Sequence, residues 1–284
     1  METIRVWAAG FIPLGILILF ISYERWRRKN RRERPPIEGK LLRTPGHTLA
    51  RKIENLSENI MTLLVAATAS AMACAFVVIH TNSKYPALYF MPAVIFAAPS
   101  ALCIVWAFRK RNDLRKHYLG LLGEQFMAEQ LQNLPDYRVF HDIPGDGKWN
   151  VDHVAVGPAG VFAIETKCPS KRHSRNELRE QDAVFDGTVI RYPWCEDRDA
   201  AEQARRNAKW ISGMLSKATG ERVAAQPIVA LPGWWVTLKA NSDVKVLSGK
   251  QVPGYIASQP TALSPKIIQQ IAYQLEQRCR DVEF

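Results

Sequence analysis

Three long apolar runs stand out against an otherwise mixed pattern, at about 6–22, 60–79 and 87–108. A helix rises ~1.5 Å per residue, so each run, the first only just, can cross about 30 Å of hydrocarbon. The pattern predicts three transmembrane helices in a membrane region at 1–111, with residues 23–59 as a basic loop. Pro92 and Pro99 break soluble helices but are tolerated in a membrane bundle. A buried soluble hairpin is the alternative. The first run lacks the marks of a cleaved signal peptide, because its basic cluster follows the apolar stretch and no A-x-A site ends it. Ala67, Ala71 and Ala75, and Ala66 with Ser70, have the small-residue spacing that lets helices approach closely. That spacing predicts packing of the second run on the third, with homo-oligomerisation through the spans as its other use.

From residue 112 to 284 the periodicity becomes that of a soluble α/β domain. Leu119, Leu122, Phe126 and Leu134 recur near helical spacing, which predicts a helix over about 112–134 ended by Pro135. Tyr137–Ile143, Val151–Gly157 and Val161–Lys167 read as strands divided by Pro144-Gly145-Asp146-Gly147 and Pro158-Ala159-Gly160. A polar stretch with a small hairpin around Thr188–Tyr192 follows. Asp199, with Glu202 three residues on, predicts the capped start of a helix reaching about Ala218. Gln226–Leu231 and Val244–Leu247 read as further strands, and Pro265–Arg280 as a polar helix. The order α-β-β-β-α-β describes a compact three-layer α/β core.

Charge first suggests a nucleic-acid binder, since the formal net charge is +11. Residues 1–119, however, hold 18 Lys and Arg against 7 Asp and Glu, and residues 120–284 hold 20 against 20. The excess therefore lies with the apolar runs. It follows the first run, from Arg25 to Arg34, and the third, at Arg109-Lys110-Arg111, whereas only Lys84 separates the second from the third. The positive-inside bias then puts 23–59 and everything after 109 in the cytoplasm, with the N-terminus outside an inner (plasma) membrane. The basic loop could also hold anionic lipid or DNA. Cys74, Cys103, Cys168, Cys195 and Cys279 form no CxxC and no Cys/His ligand spacing, which fits a reducing compartment and suggests no structural zinc.

Chemistry concentrates at the ends of two strands. Glu165 and Lys167 are two apart and share a strand face. If Pro158 and Ala159 are the central residues of a two-residue turn, Asp152 faces Glu165 with Cβ atoms ~5 Å apart. Two carboxylates that close destabilise each other unless a cation lies between them, so the pair suggests a divalent-metal site. A three-residue loop with Gly160 in the left-handed position shifts the register by one and separates the acids. Glu124 shares a helix stripe with Gly120, Met127 and Leu131 and needs a partner if buried. Gln203 shares a stripe with Asn207, Trp210 and Met214, and taken alone reads as an exposed polar residue. His153 points away from Asp152, which favours packing, as does the position of Cys168.

Three blocks, Leu119-Gly120-Leu121-Leu122-Gly123-Glu124, Asp152 through Lys167, and Glu202-Gln203-Ala204, resemble the NERD (nuclease-related) domain, a family placed in the PD-(D/E)XK nuclease superfamily. The resemblance covers about 115–231 and implies a restriction-endonuclease-like α-β-β-β-α-β core. It implies that Asp152, Glu165 and the Thr166 backbone carbonyl hold Mg²⁺ (or Mn²⁺), with Glu124 completing that shell or a second site. Lys167 would orient or deprotonate water or offset charge on the phosphorane-like transition state, and Gln203 would position the backbone. The expected activity is hydrolysis of nucleic acid phosphodiesters, DNA ahead of RNA, by a protein held at the bilayer. The neutral soluble half favours a different class, a non-catalytic membrane-tethered scaffold binding nucleic acid or protein. Lys171-Arg172-His173-Ser174-Arg175, Arg205-Arg206 and Arg109–Lys116 are local candidates for phosphate contact.

Overall fold

The computed structural model describes residues 40–80, 87–147, 149–173 and 178–282, with separate positions between 12 and 30. Most of the first expected span, 6–22, lies outside the described residues. The chain divides into two compact units, Met1–Glu38 with Ile53–Arg115, and Gly39–Lys52 with Lys116–Phe284.

The first unit draws on two long helices, α1 (His47–His80) and α2 (Ala87–Leu131). Among the described residues one helix, over His47–Phe76, is long and apolar enough to cross a membrane. Helix begins at His47, inside the segment expected as loop, because Leu49, Ile53 and Leu56 extend the apolar run behind them at helical spacing. Ala67 and Ala73 are buried and Ser100 donates to the Ala67 carbonyl at 3.2 Å. Of the small residues expected to meet the third run, Ala67 makes that contact, whereas Ala71 and Ala75 are exposed. Met72, Trp106 and Phe108 also remain exposed.

The second unit is built on a five-stranded sheet in the order β10-β8-β4-β3-β2. Its strands are β2 (Arg138–Pro144), β3 (Asn150–Gly157), β4 (Gly160–Thr166), β8 (Ala225–Leu231) and β10 (Lys245–Ser248). β2, β3 and β4 pair antiparallel, and β4, β8 and β10 run parallel. Successive residues of β4 enter different cores. Val161 and Ala163 pack with Ile211, Leu215, Ile271 and Leu275, whereas Phe162 and Ile164 pack with Met127, Leu131, Val252 and Ile256. Burial on both faces explains why this strand reads as a continuous apolar run. The first face is covered by α3 (Ala200–Thr219) and α5 (Pro265–Cys279), the second by the end of α2 and by the short α4 (Val252–Ala257). Each fully buried Leu or Ile contributes roughly 2–3 kcal/mol to holding these layers together.

A second sheet, β7-β6-β5-β9, is inserted between β4 and α3 and after β8. It comprises β5 (Asp182–Phe185), β6 (Ile190–Arg191), β7 (Glu196–Asp197) and β9 (Trp235–Leu238). Trp234 is buried against Tyr192 and Trp194, whereas Trp235 is exposed. The cap of α3 differs from the expectation. Asp199 makes no side-chain cap bond; Asp197 Oδ1 instead accepts the N–H groups of Asp199 and Ala200, both at 2.9 Å.

Residues 39–52, expected in the basic loop, fold with this unit rather than with the first. β1 (Leu41–Leu42) pairs antiparallel with β11 (Arg280–Val282), and the Arg43 N–H donates to the Cys279 carbonyl at 3.0 Å. Arg43 grips Asp281 through Nε and Nη2, at 2.7 and 2.6 Å, and donates from Nη1 to Asp142 at 2.9 Å. Asp142 is fully buried and adopts φ of 50°, a left-handed conformation that Asp tolerates better than most residues. The β2–β3 pairing accordingly skips from 141↔153 to 143↔151. Thr48 Oγ1 and N and Asn150 Nδ2 complete the partners of Asp142.

Candidate active site

The turn between β3 and β4 settles the register. Pairing runs from Gly157↔Gly160 to His153↔Ile164, so Pro158 and Ala159 form the two-residue turn, and Asp152 and Glu165 come one step later on the same face. That face is the one α3 covers. Both acids are buried, Asp152 8% and Glu165 3% exposed. Asp152 Oδ2 accepts the Thr166 N–H at 2.8 Å, tying the two strand ends together.

Lys167 follows β4 and lies on Glu165's face. Its Nζ is 2.9 Å from Glu165 Oε1 and donates to Gln203 Oε1 at 2.9 Å. Gln203 therefore belongs to the cluster through its contact with Lys167. Asn207, one turn further along α3, donates to Glu165 Oε2 at 2.9 Å. It was legible only as a member of Gln203's stripe; burial is what makes it consequential, because Glu165 then has both oxygens engaged.

Glu124 arrives from the other layer on the last third of α2. It gets there because Gly123 has no side chain: a Cβ would lie 2.6 Å from that of Cys168 and 3.4 Å from Thr166 Cγ2. Glu124 is buried, and its Oε2 has no hydrogen-bond partner. Thr166 Oγ1 is also buried without one. These groups open on a cleft of about 850 Å³ whose wall includes Leu49, Trp194 and Arg172.

The electrostatics follow from crowding carboxylates away from water. Burial, with Asp142 and Glu165 nearby, pushes Glu124 up to about 8 against the pull of the Gly46 backbone bond and Lys52. Burial and the neighbouring Glu165 and Glu124 raise Asp152 well above the ordinary carboxylate range. Burial also raises Glu165, against Lys167 and Asn207. Lys167 is the counterpart: burial alone lowers it, but Glu165 and Asp152 outweigh burial and hold it above its usual value. Among the described residues no three His, Cys, Asp or Glu side chains converge as a preformed metal cluster. The arrangement supplies two paired acids, a backbone strand end and Glu124, whose Oε2 is without a partner.

His141 and His153 sit opposite each other on β2 and β3, with Nδ1 atoms 2.8 Å apart. Burial holds His141 down at about 4, and burial plus His141 holds His153 well below its ordinary value. Both rings stay neutral in the fold and protonate when it opens, so their contribution to stability falls as pH drops from about 6.5 towards 4. Glu124, Asp152 and Glu165, raised in the fold, contribute the opposite slope, so the histidine contribution is read as a difference. In thermal melts between pH 7 and 4, His141→Asn should gain stability relative to wild type as the pH falls. An unchanged slope in that variant would assign the acid lability elsewhere.

A mixed α/β sheet that brings Asp152, Glu165 and Lys167 to its strand ends, and recruits acid and amide from flanking helices, has the form of a nuclease-like core. Residues 119–232 match the family model of the nuclease-related domain, NERD, so this part of the chain is similar to that family. Neither the curated proteins nor the solved structures contain a match to this chain.

Proposed function

We propose that the chain is a membrane-anchored, metal-dependent nuclease that hydrolyses nucleic acid phosphodiester bonds, DNA foremost, through the Asp152–Glu165–Lys167 site. The observation that carries this reading is Lys167 held between Glu165 and Gln203 beside a second buried acid. The restriction-endonuclease-like description of the core rests on the same strand ends. The donor set suits Mg²⁺ or Mn²⁺: hard oxygen ligands from Asp152, Glu165 and the Thr166 carbonyl, with the unpartnered Oε2 of Glu124 available to complete the shell. A divalent cation there supplies Lewis acidity to the scissile phosphate and activation of water.

The protein's own groups do the rest. An ammonium has three donors, and Lys167 spends two on Glu165 and Gln203. Its third is free for a phosphate oxygen, where it offsets the charge that grows during attack. Gln203 and Asn207 fix the lysine and the glutamate from one helix, so neither must reorganise as substrate arrives. No side-chain nucleophile is needed.

Membrane attachment is supported by the apolar helix at His47–Phe76 and by exposed Met72, Trp106 and Phe108. Three spans with a cytoplasmic domain and an outside N-terminus remain the topology that the charge pattern favours. The test is cleavage of labelled single-stranded, duplex and branched DNA, and of RNA, by the full-length protein in detergent with Mg²⁺. Cleavage that EDTA abolishes and Lys167→Ala reduces by about 10²–10³-fold is the expected result. Equal cleavage by the variant would assign the activity to a contaminant, and none by a folded wild type would favour the scaffold.

A further inference from the structure

Residues 120–284 balance acid against base in number, but not in position. On α3, Arg205 is paired with Asp243 and Glu202. Arg206 and Lys209, by contrast, are exposed and make no ion pair among the described residues. They line a groove of about 660 Å³ together with Trp210, Gly213, Met214 and Lys217. The groove's acid, Asp146, is committed to Trp210 Nε1 and Arg278, both at 2.7 Å. Gly213 raises no side chain between Lys209 and Lys217. The same helix carries Gln203, which touches Lys167, one turn before Arg206.

We propose that this face of α3 is a phosphate track, holding the backbone of a nucleic-acid strand that leads away from the Lys167 site. The proposal rests on the nuclease reading and adds where the substrate lies. Arg206 to Lys217 spans about 16 Å of helix, which matches about five nucleotides of duplex rise. Free cations facing a groove whose acid is neutralised complement a polyanion. Trp210 has its N–H bonded to Asp146, Arg278 over its face at 4.8 Å and Trp149 against it at 4.9 Å, so it is not available to stack on bases. The track therefore reads phosphate and not sequence.

The experiment measures binding of full-length protein to a fluorescent 20-mer, single-stranded and duplex, in EDTA so that nothing is cut, from 50 to 200 mM KCl. Arg206→Gln/Lys209→Gln is compared with Lys239→Gln/Lys250→Gln, which removes the same charge elsewhere on the exposed surface. The track predicts that the slope of log K against log salt becomes shallower by about 2 on duplex in the first variant only, for every sequence tested. Wild-type slope and affinity in that variant, with binding intact, would overturn the track and leave the nuclease reading standing. A wild type that binds no nucleic acid would overturn both.

Discussion

Arg43→Ala is expected to destabilise the nuclease-like unit by about 3–5 kcal/mol, although Arg43 lies more than a hundred residues before the site. The reason is Asp142, whose side chain is 1% exposed and takes its charged partner from Arg43. Without the guanidinium a buried carboxylate is left with neutral donors only, and β1 loses the fork that fastens it to Asp281. Against a typical total of about 5–15 kcal/mol, that loss lowers Tm by about 10 °C. Arg43→Ala combined with Asp142→Asn should recover part of it, because Asn also tolerates φ of 50° and leaves no charge to bury. A loss below about 1 kcal/mol in Arg43→Ala would show that water reaches Asp142. One consequence is practical: a fragment beginning at residue 112 lacks Arg43 and Thr48, so a stable excised domain has to retain 39–52.

Asp152→Asn is expected to separate stability from activity. Asn can accept the Thr166 N–H as Asp152 does, but it removes one of the carboxylates crowded with Glu165 and Glu124. In EDTA the variant should melt a few degrees higher than wild type, the shift that about 1 kcal/mol produces in a domain of this size. Cleavage should fall by about 10³-fold or more, since the cation loses a charged ligand worth several kcal/mol at the transition state. A variant that melts lower in EDTA would mean that the Asp152 charge is already compensated by the protein.

Much of the second unit's fold was legible because its signals are local. The β4 run is apolar on both faces, Pro158-Ala159 closes the hairpin in two residues, and Glu165 and Lys167 share a face by strand parity alone. The register that brings Asp152 next to Glu165 was one of two left open, and pairing along the whole ladder decides between them. What stayed hidden depends on partners distant in the chain. Nothing near Leu41 announces its pairing with Val282, and nothing near Asp142 announces Arg43. Asn207 stands out in the sequence only as a member of Gln203's stripe, and its weight comes from Glu165, a partner 42 residues away. The helix contact uses Ala67 of the expected set and leaves Ala71 and Ala75 exposed, because a small-residue pattern alone does not encode which turns meet the neighbouring helix. For α3 the cap shifted by two residues because β7 carries Asp197 to the helix start.

If Asp152 and Glu165 form a cation site, thermal melting of the full-length protein against increasing Ca²⁺ or Mg²⁺ reads it directly. Wild type should gain stability in proportion to the logarithm of cation concentration above Kd, by about 2.7 kcal/mol at a hundredfold excess, and Asp152→Asn should gain none. Equal stabilisation of the two proteins, or no response in either, would contradict it.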